Sequence, residues 1–427
     1  MPPRILFAIG RGGGGHKASA RAVRDALPAG LRDSVEFCDF GYALEACIWG
    51  GRPRSSGFDC DEVYNLLLRF GFTSIASVLG HIARLSAYVL HGPIVRGLTR
   101  MWSGPAKPDV VVSFVPYFNA VMRDALGVIN PNASLVTVVT DFASSAEHWW
   151  IDEAKRESAV RHVIVAGTPT LQRQCAELGY APTDVLASSG MVVHPSFHRA
   201  APSAADDDES SGAESANDVM TMRAGEMRSR CDEREGGCDR ALISFGAFPP
   251  MRVEHIVNAL AHTQPQLELV VLCGGNDALL NRLRARGNCV AEPMISSQRV
   301  RDHMRQASFV IGKPGPGTVS EASVSGAAFV SERKGVMAQE RLVLDWIDES
   351  GAGVVVDDLT RLPPDLCERV RRCRPTVRAN AAANRAVFEV RDLVTSLLAE
   401  AGRGREWADL ECSRKPALQG EATGKKA

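Results

Sequence analysis

Residues 4–27 read R-I-L-F-A-I-G-R-G-G-G-G-H-K-A-S-A-R-A-V-R-D-A-L. The first six predict a short buried strand, the glycines a loop, and residues 18–27, with spaced apolar positions among good helix formers, a helix. Strand, glycine loop and helix form the opening unit of an α/β domain. The alternation recurs outward from it: residues 34–40, 110–114, 134–140 and 162–166 are short apolar or β-branched runs separated by longer helical stretches. Such a pattern predicts a parallel sheet with helices on both faces.

From residue 201 to 239 the composition turns to Ala, Ser, Asp, Glu and Gly, including D-D-D-E-S-S at 206–211, and cannot build a core. The strand and helix rhythm then restarts at 241–245, 267–273, 288–290, 309–312, 327–331 and 353–356. These textures predict a first domain over 1–200, an acidic low-complexity linker over 201–239 and a second α/β domain over 240–400. Charged and small residues dominate after Gly402, which predicts a disordered tail over 401–427.

At 427 residues, with 45% hydrophobic and 23% charged residues, the chain has apolar material for two cores. A formal net charge of -1 gives no basic excess for nucleic-acid binding. Eleven cysteines, an odd number without a C-x-x-C pair, read as reduced thiols of a cytosolic compartment. The first apolar run follows Met1 so closely that no signal or transit peptide is expected. No window of roughly eighteen residues lacks a charged side chain, so a spanning helix is not expected either.

Three motifs could carry chemistry. In the loop Gly10 to Lys17, glycines let the backbone approach a ligand, and the helix start favours an anion or a developing oxyanion. A Walker loop fails, because His16, Lys17 and Ala18 replace the Lys and Ser/Thr it requires. Gly10, Gly12 and Gly15 satisfy G-x-G-x-x-G, and Glu36 follows at about the spacing of a ribose-binding acid, so a nicotinamide-dependent oxidoreductase is one reading. A flexible connection is another. His16 is either a solvated polar residue or a base that accepts a proton from an alcohol.

The second motif, F-V-I-G-K-P-G-P-G-T-V-S-E-A at 309–322, predicts a strand, a Pro and Gly turn and a helix beginning near Thr318. Glu321 on that helix could accept hydrogen bonds from two ribose hydroxyls, or Thr318 and Glu321 could form a T-x-x-E capping box. The third, Met337-Ala338-Gln339-Glu340, follows the strand at 327–331. Gln339 and Glu340 there could bind sugar hydroxyls, or simply start a solvated helix. The one dense aspartate run, 206–208, lies in the linker and reads as solvated charge, so no metal site is expected.

The motifs GGGGHKASA at 12–20, TVVTDF at 137–142, GMVVHPSF at 190–197, KPGPGTVSEA at 313–322 and Gln339-Glu340 occur in this order, at comparable spacing, in monogalactosyldiacylglycerol synthases. The chain resembles that family, related bacterial processive diacylglycerol glycosyltransferases and, more distantly, the undecaprenyl-linked N-acetylglucosamine transferase of peptidoglycan synthesis. The resemblance covers most of residues 4–395 outside the linker. It implies a GT-B fold, two facing Rossmann-like domains with an interdomain cleft, in which the second domain holds a UDP-sugar and the first the acceptor. It also implies inversion at the anomeric carbon with no tightly bound cofactor or metal. By position, His16 would be the base. Gly246, Gly315, Pro316, Gly317 and Thr318 would lie against the nucleotide and its phosphates, Glu321 would bind ribose, and Gln339 and Glu340 would hold the sugar. Gly14, Gly15, Asp141, Trp149 and Pro195 would lie on the acceptor side.

The implied partners are UDP-galactose or UDP-glucose, diacylglycerol or another lipid acceptor, and the cytoplasmic side of a membrane surface. Residues 64–102 mix apolar side chains with Arg69, Arg84, Arg96 and Arg100 and contain no acid. They read either as helices lying on an anionic bilayer or as core helices with arginines on the wet side. The plastid role of the nearest family is not implied, since no transit peptide is read. One departure stands out: where the family has a glycine-rich loop, residues 245–252 read F-G-A-F-P-P-M-R. Phe248 and two prolines remove backbone donors and freedom, which admits a catalytically impaired relative that binds nucleotide-sugar or lipid without turnover. Arg252 reads as either a compensating charge or a surface arginine.

Overall fold

A computed structural model describes residues 3–10, 14–49, 82, 84–104, 107–143, 150–152, 154, 158–198, 239–336 and 338–414. Gly12, Trp149, nearly all of the expected linker and most of residues 64–83 lie outside them. The chain divides into two compact units, Met1–Gly190 with Arg385–Ala427, and Met191–Asn384.

The sheet of the first unit contains β1 (Ile5–Ile9), β2 (Val35–Asp39), β3 (Val110–Ser113), β4 (Ser134–Val138), β5 (Arg161–Ala166) and β6 (Val185–Ala187). All neighbours run parallel in the order β2-β1-β3-β4-β5-β6. Every residue of β1, β3 and β4 is buried, which is why these strands read as continuous apolar runs rather than alternating ones. Helices His91–Trp102 and Asn119–Ile129 cover one face, packing Ile94, Leu98, Trp102, Met122 and Leu126 onto Leu6, Ala8, Val111 and Leu135. Arg96 and Arg100 lie on the exposed side of the first of these helices, so this part of the arginine-rich stretch is a core helix with a wet basic face.

The second unit repeats the plan with β7 (Arg240–Ser244), β8 (Glu268–Gly274), β9 (Val290–Pro293), β10 (Phe309–Gly312), β11 (Ala328–Glu332) and β12 (Gly353–Val356). They are again parallel, in the order β12-β11-β10-β7-β8-β9. In each sheet the order reverses beside the first strand, between β1 and β3 and between β7 and β10. In sheets of this kind the usual ligand position lies outside the carboxyl ends of the strands at that reversal. The Gly10 loop leaves β1, residues 245–252 leave β7, and residues 313–315 leave β10.

The boundaries differ from the expected 200 and 400. Met191 belongs to the second unit, where its carbonyl accepts from Asn384 Nδ2 at 3.1 Å. The segment after Arg385 returns to the first unit as helix Ala386–Arg414, which packs against helix Gly14–Ala26. Val387, Val390, Val394 and Leu397 are buried at helical spacing. The helix runs well past residue 400, where a tail was expected, because its backbone bonds carry it through a segment with few apolar residues.

Candidate functional site

In the first unit, Gly14 and Gly15 form the exposed first turn of helix Gly14–Ala26, and the half-buried His16 follows them. The His16 Nδ1 atom lies 2.9 Å from the hydroxyl of Thr140, just beyond β4. Beside Thr140, the half-buried carboxylate of Asp141 accepts a hydrogen bond from Trp150 Nε1 at 2.6 Å. The Trp150 ring in turn lies 5.5 Å from the imidazole, centroid to centroid, tilted by 46°. Burial raises the Asp141 pKa above the usual carboxylate range, while the charge of His16 and the indole hydrogen bond act against that. The result is an imidazole with one nitrogen engaged by a neutral hydroxyl and a half-buried acid nearby. Thr140 and Trp150 were not anticipated from sequence. Tryptophans stand at both 149 and 150, and only the fold shows that Trp150 holds Asp141.

In the second unit, helix Pro316–Ser325 starts two residues earlier than expected, with Gly315 as its N-cap and Pro316 at its first position, where a fixed φ and a missing N–H fit. Thr318 is therefore inside the helix, and no side chain caps its start, so the T-x-x-E capping box is not formed. The Val319 N–H bonds to the Gly315 carbonyl at 3.0 Å, which leaves Gly317 and Thr318 to present backbone donors at the helix start. The half-buried side chain of Glu321, one turn in, makes no hydrogen bond or ion pair among the described residues. Burial pushes its pKa up to about 7 against the opposing charge of Arg301. Lys313 Nζ reaches Glu340 Oε1 at 2.8 Å, joining the loop after β10 to helix Ala338–Ser350. The Glu340 side chain is 5% exposed and that of Lys313 45%. Gln339 lies beside Glu340 in the first turn of the same helix.

The loop at 245–252 is pinned despite lacking the expected glycines. Gly246 takes φ 82°, the left-handed region. The Ala247 carbonyl accepts from Gly275 N at 2.9 Å and the Pro249 carbonyl from Asn276 Nδ2 at 2.8 Å. A Cβ on Gly275 would come within 2.5 Å of the Phe248 ring, so only glycine lets that ring settle there. Arg252 is neither a surface arginine nor a spare charge: its guanidinium grips both oxygens of the buried Glu332 and reaches Asp358 Oδ1 at 2.9 Å. Lys334 Nζ adds a second cation to Asp358 at 2.7 Å.

Pro195 sits in a short turn, Pro195–Phe197, of the second unit rather than within the expected first domain. Arg305 donates to the carbonyls of Ser196 and His198 and holds it there. The dinucleotide reading finds no support: Glu36 is the second residue of β2, away from that strand's carboxyl end, and is paired with Arg4 at 2.5 Å. A ribose-binding acid belongs at the other end.

No model of a protein family matches the chain. Residue-by-residue comparison with known proteins does find relatives. The chain is 24% identical over 372 residues to the probable monogalactosyldiacylglycerol synthase 2, chloroplastic, of Oryza sativa subsp. indica, covering 83% of this chain and 71% of that protein. The chain is similar to the monogalactosyldiacylglycerol synthases. A second relative, the monogalactosyldiacylglycerol synthase 2, chloroplastic, of Arabidopsis thaliana, is 24% identical over 381 residues, covering 84% of this chain and 71% of its own length. Among solved structures, Arabidopsis thaliana UGT89C1 complexed with UDP-L-rhamnose superposes with a TM-score of 0.51 at 11% sequence identity, covering 93% of this chain and 100% of that one. That likeness concerns the fold, which is the GT-B pairing of two Rossmann-like domains.

Proposed function

We propose that the chain is an inverting glycosyltransferase that moves a hexosyl group from a UDP-sugar to a lipid hydroxyl, with diacylglycerol as the favoured acceptor. The observation that carries this reading is the content of the two switch points. One holds an imidazole beside a half-buried carboxylate, and the other a Pro-Gly helix start followed by Glu321, a half-buried carboxylate whose side chain is unpaired among the described residues. The relatives' name supplies the acceptor class.

In the proposed reaction the acceptor oxygen attacks the anomeric carbon as the bond from that carbon to the UDP oxygen breaks. The acceptor proton passes to His16. With Nδ1 donating its proton's hydrogen bond to the Thr140 hydroxyl, Nε2 is the nitrogen that takes it. The departing diphosphate gains charge, which the N–H groups of Gly317 and Thr318 and the helix dipole stabilise. Gly315 and Pro316 shape that turn, Gly246 lets the opposite loop approach, Glu321 accepts from ribose, and Gln339 and Glu340 hold the sugar, galactose or glucose. Gly14, Gly15, Asp141, Trp149 and Pro195 stay assigned to the acceptor.

Among the described residues no helix is long and apolar enough to cross a membrane. Ile82, Leu85, Tyr88 and Val89 are nevertheless exposed beside Arg84, an apolar and basic combination that supports docking on an anionic bilayer surface. A second reading, nucleotide-sugar binding without turnover, rests on residues 245–252, where Phe248, Pro249 and Pro250 replace a glycine-rich turn.

The test is to incubate the chain with labelled UDP-galactose or UDP-glucose and diacylglycerol-containing vesicles, with UDP and NAD binding measured in parallel by calorimetry. Label entering lipid supports transfer. UDP binding without label in any lipid favours the second reading, and saturable NAD binding without UDP binding sinks both.

A further inference from the structure

Trp150 belongs to no motif that carries the family resemblance, yet it touches two of the groups the reaction would use. The residue is 2% exposed. Its Nε1–H donates to Asp141 Oδ2 at 2.6 Å and its ring lies 5.5 Å from that of His16. The backbone is fixed as well: the buried Asn119 side chain donates to the Trp150 carbonyl at 3.1 Å and to the Val115 carbonyl at 3.3 Å, tying residue 150 to the loop that follows β3. Two residues on, the Asp152 carboxylate accepts from Ala120 N at 3.1 Å, capping the start of helix Asn119–Ile129. The backbone at residue 150 is thus fixed, and the indole itself is engaged through its N–H.

We propose that Trp150 is a positioning residue for His16: its N–H holds the Asp141 carboxylate in place near the imidazole, and its ring forms a wall of the imidazole's slot. It acts through Asp141 and His16 and does not itself meet the substrate. The inference rests on the proposed role of His16 as base. The physical ground is that a buried carboxylate stays ionised only with donors and a counter-charge. For Asp141 these are the indole N–H and His16. Asp152 and Arg123, the charged groups next in line, act on each other. Without the indole donor, Asp141 holds its proton to higher pH and the imidazole loses a negative neighbour.

Trp150→Phe, which keeps an aromatic wall but removes the donor, tests this. The expected result is a fall in kcat of about tenfold with KM for the UDP-sugar nearly unchanged, and little further loss when the change is made in an Asp141→Asn background. Histidine-selective NMR supplies a readout independent of transfer: the His16 ring titrates at lower pH in Trp150→Phe than in the parent chain. Asp141→Asn, which keeps the indole and its packing, covers the case in which Trp150→Phe fails to fold, and lowers the His16 titration in the same way. An unmoved His16 titration in these variants overturns the proposal, as does an equal loss of kcat with and without Asp141. Absence of transfer in the parent chain combined with the expected His16 shift would instead reject the transferase reading and leave the positioning role standing.

Discussion

The loops leaving β1 and β10 each flank the point where the strand order of their sheet reverses, and both lead straight into a helix, but they are organised by different forces. At the first, His16, Thr140, Asp141 and Trp150 meet through hydrogen bonds and ring contact. At the second, Lys313 is paired with buried Glu340, and Arg252 and Lys334 with Glu332 and Asp358. A proton acceptor needs its ring oriented by polar neighbours, as Thr140 orients His16, whereas a bulky anion needs donors held in place before it arrives. The first edge fits the former task and the second the latter.

The largest break in that comparison is His16→Ala. It removes the base while leaving the second unit untouched, so transfer should fall by about 10²- to 10⁴-fold, with UDP affinity by calorimetry unchanged. A parallel loss of UDP binding would show that the two edges do not divide the work.

Next in size is Lys313→Ala, which removes one cation from beside a buried carboxylate. The Lys313 side chain is 45% exposed, so the expected loss in chemical denaturation is about 1–3 kcal/mol, less than for a fully buried pair. Adding Glu340→Gln should restore most of it. If Glu340→Gln restores nothing, the pair does not organise the second edge.

What the sequence made legible follows the range of the interactions. Residues 309–312 and 353–356 read from their apolar runs are β10 and β12 as found, since a buried parallel strand is specified by its own side chains. The start of helix Pro316–Ser325 was missed by two residues because Thr318 looked like a cap, although Pro316 itself was the local signal. Arg252 was misread for a different reason. Its partners lie 80 and 106 residues away, and only the order β11-β10-β7 brings Glu332 to it. Trp150 and Thr140 share this limit: neither has a local pattern that names its partner, and their roles appear only when β4 lies in the sheet with β1.

The hydrogen-bonded character of the first unit extends into its core and can be tested by pH. His162 is buried between Thr137 Oγ1 at 2.9 Å and the Tyr180 hydroxyl at 3.4 Å. Burial and the nearby Arg123 charge push its pKa down to about 3. Above the ordinary histidine value near 6.5 neither folded nor unfolded chain binds this proton, and stability is unaffected. As pH falls below that value the unfolded chain takes up the proton and the folded one does not, so stability drops by up to about 1.4 kcal/mol per pH unit until the folded pKa is reached. Denaturation midpoints measured from pH 7 to pH 5 should show this slope, and His162→Gln should flatten it.

The smallest effect sharpens the second edge. Glu321 has its pKa raised to about 7 by burial, with Arg301 opposing, and the proposed ribose contact requires it to accept hydrogen bonds. An ionised carboxylate does so more strongly than a protonated one, so UDP should bind more tightly as pH rises from 6 to 8, by a factor of about two to five. By linkage, binding must then release a proton near pH 7, because the ribose hydroxyls favour the charged form. Calorimetry in buffers of different ionisation enthalpy reads that proton directly. Glu321→Gln should abolish both the release and the pH dependence while costing only the weaker share of the affinity, since Arg301 and the donors of Gly317 and Thr318 remain. Proton uptake on binding would reverse the sign and show that Glu321 meets the nucleotide as a hydrogen-bond donor.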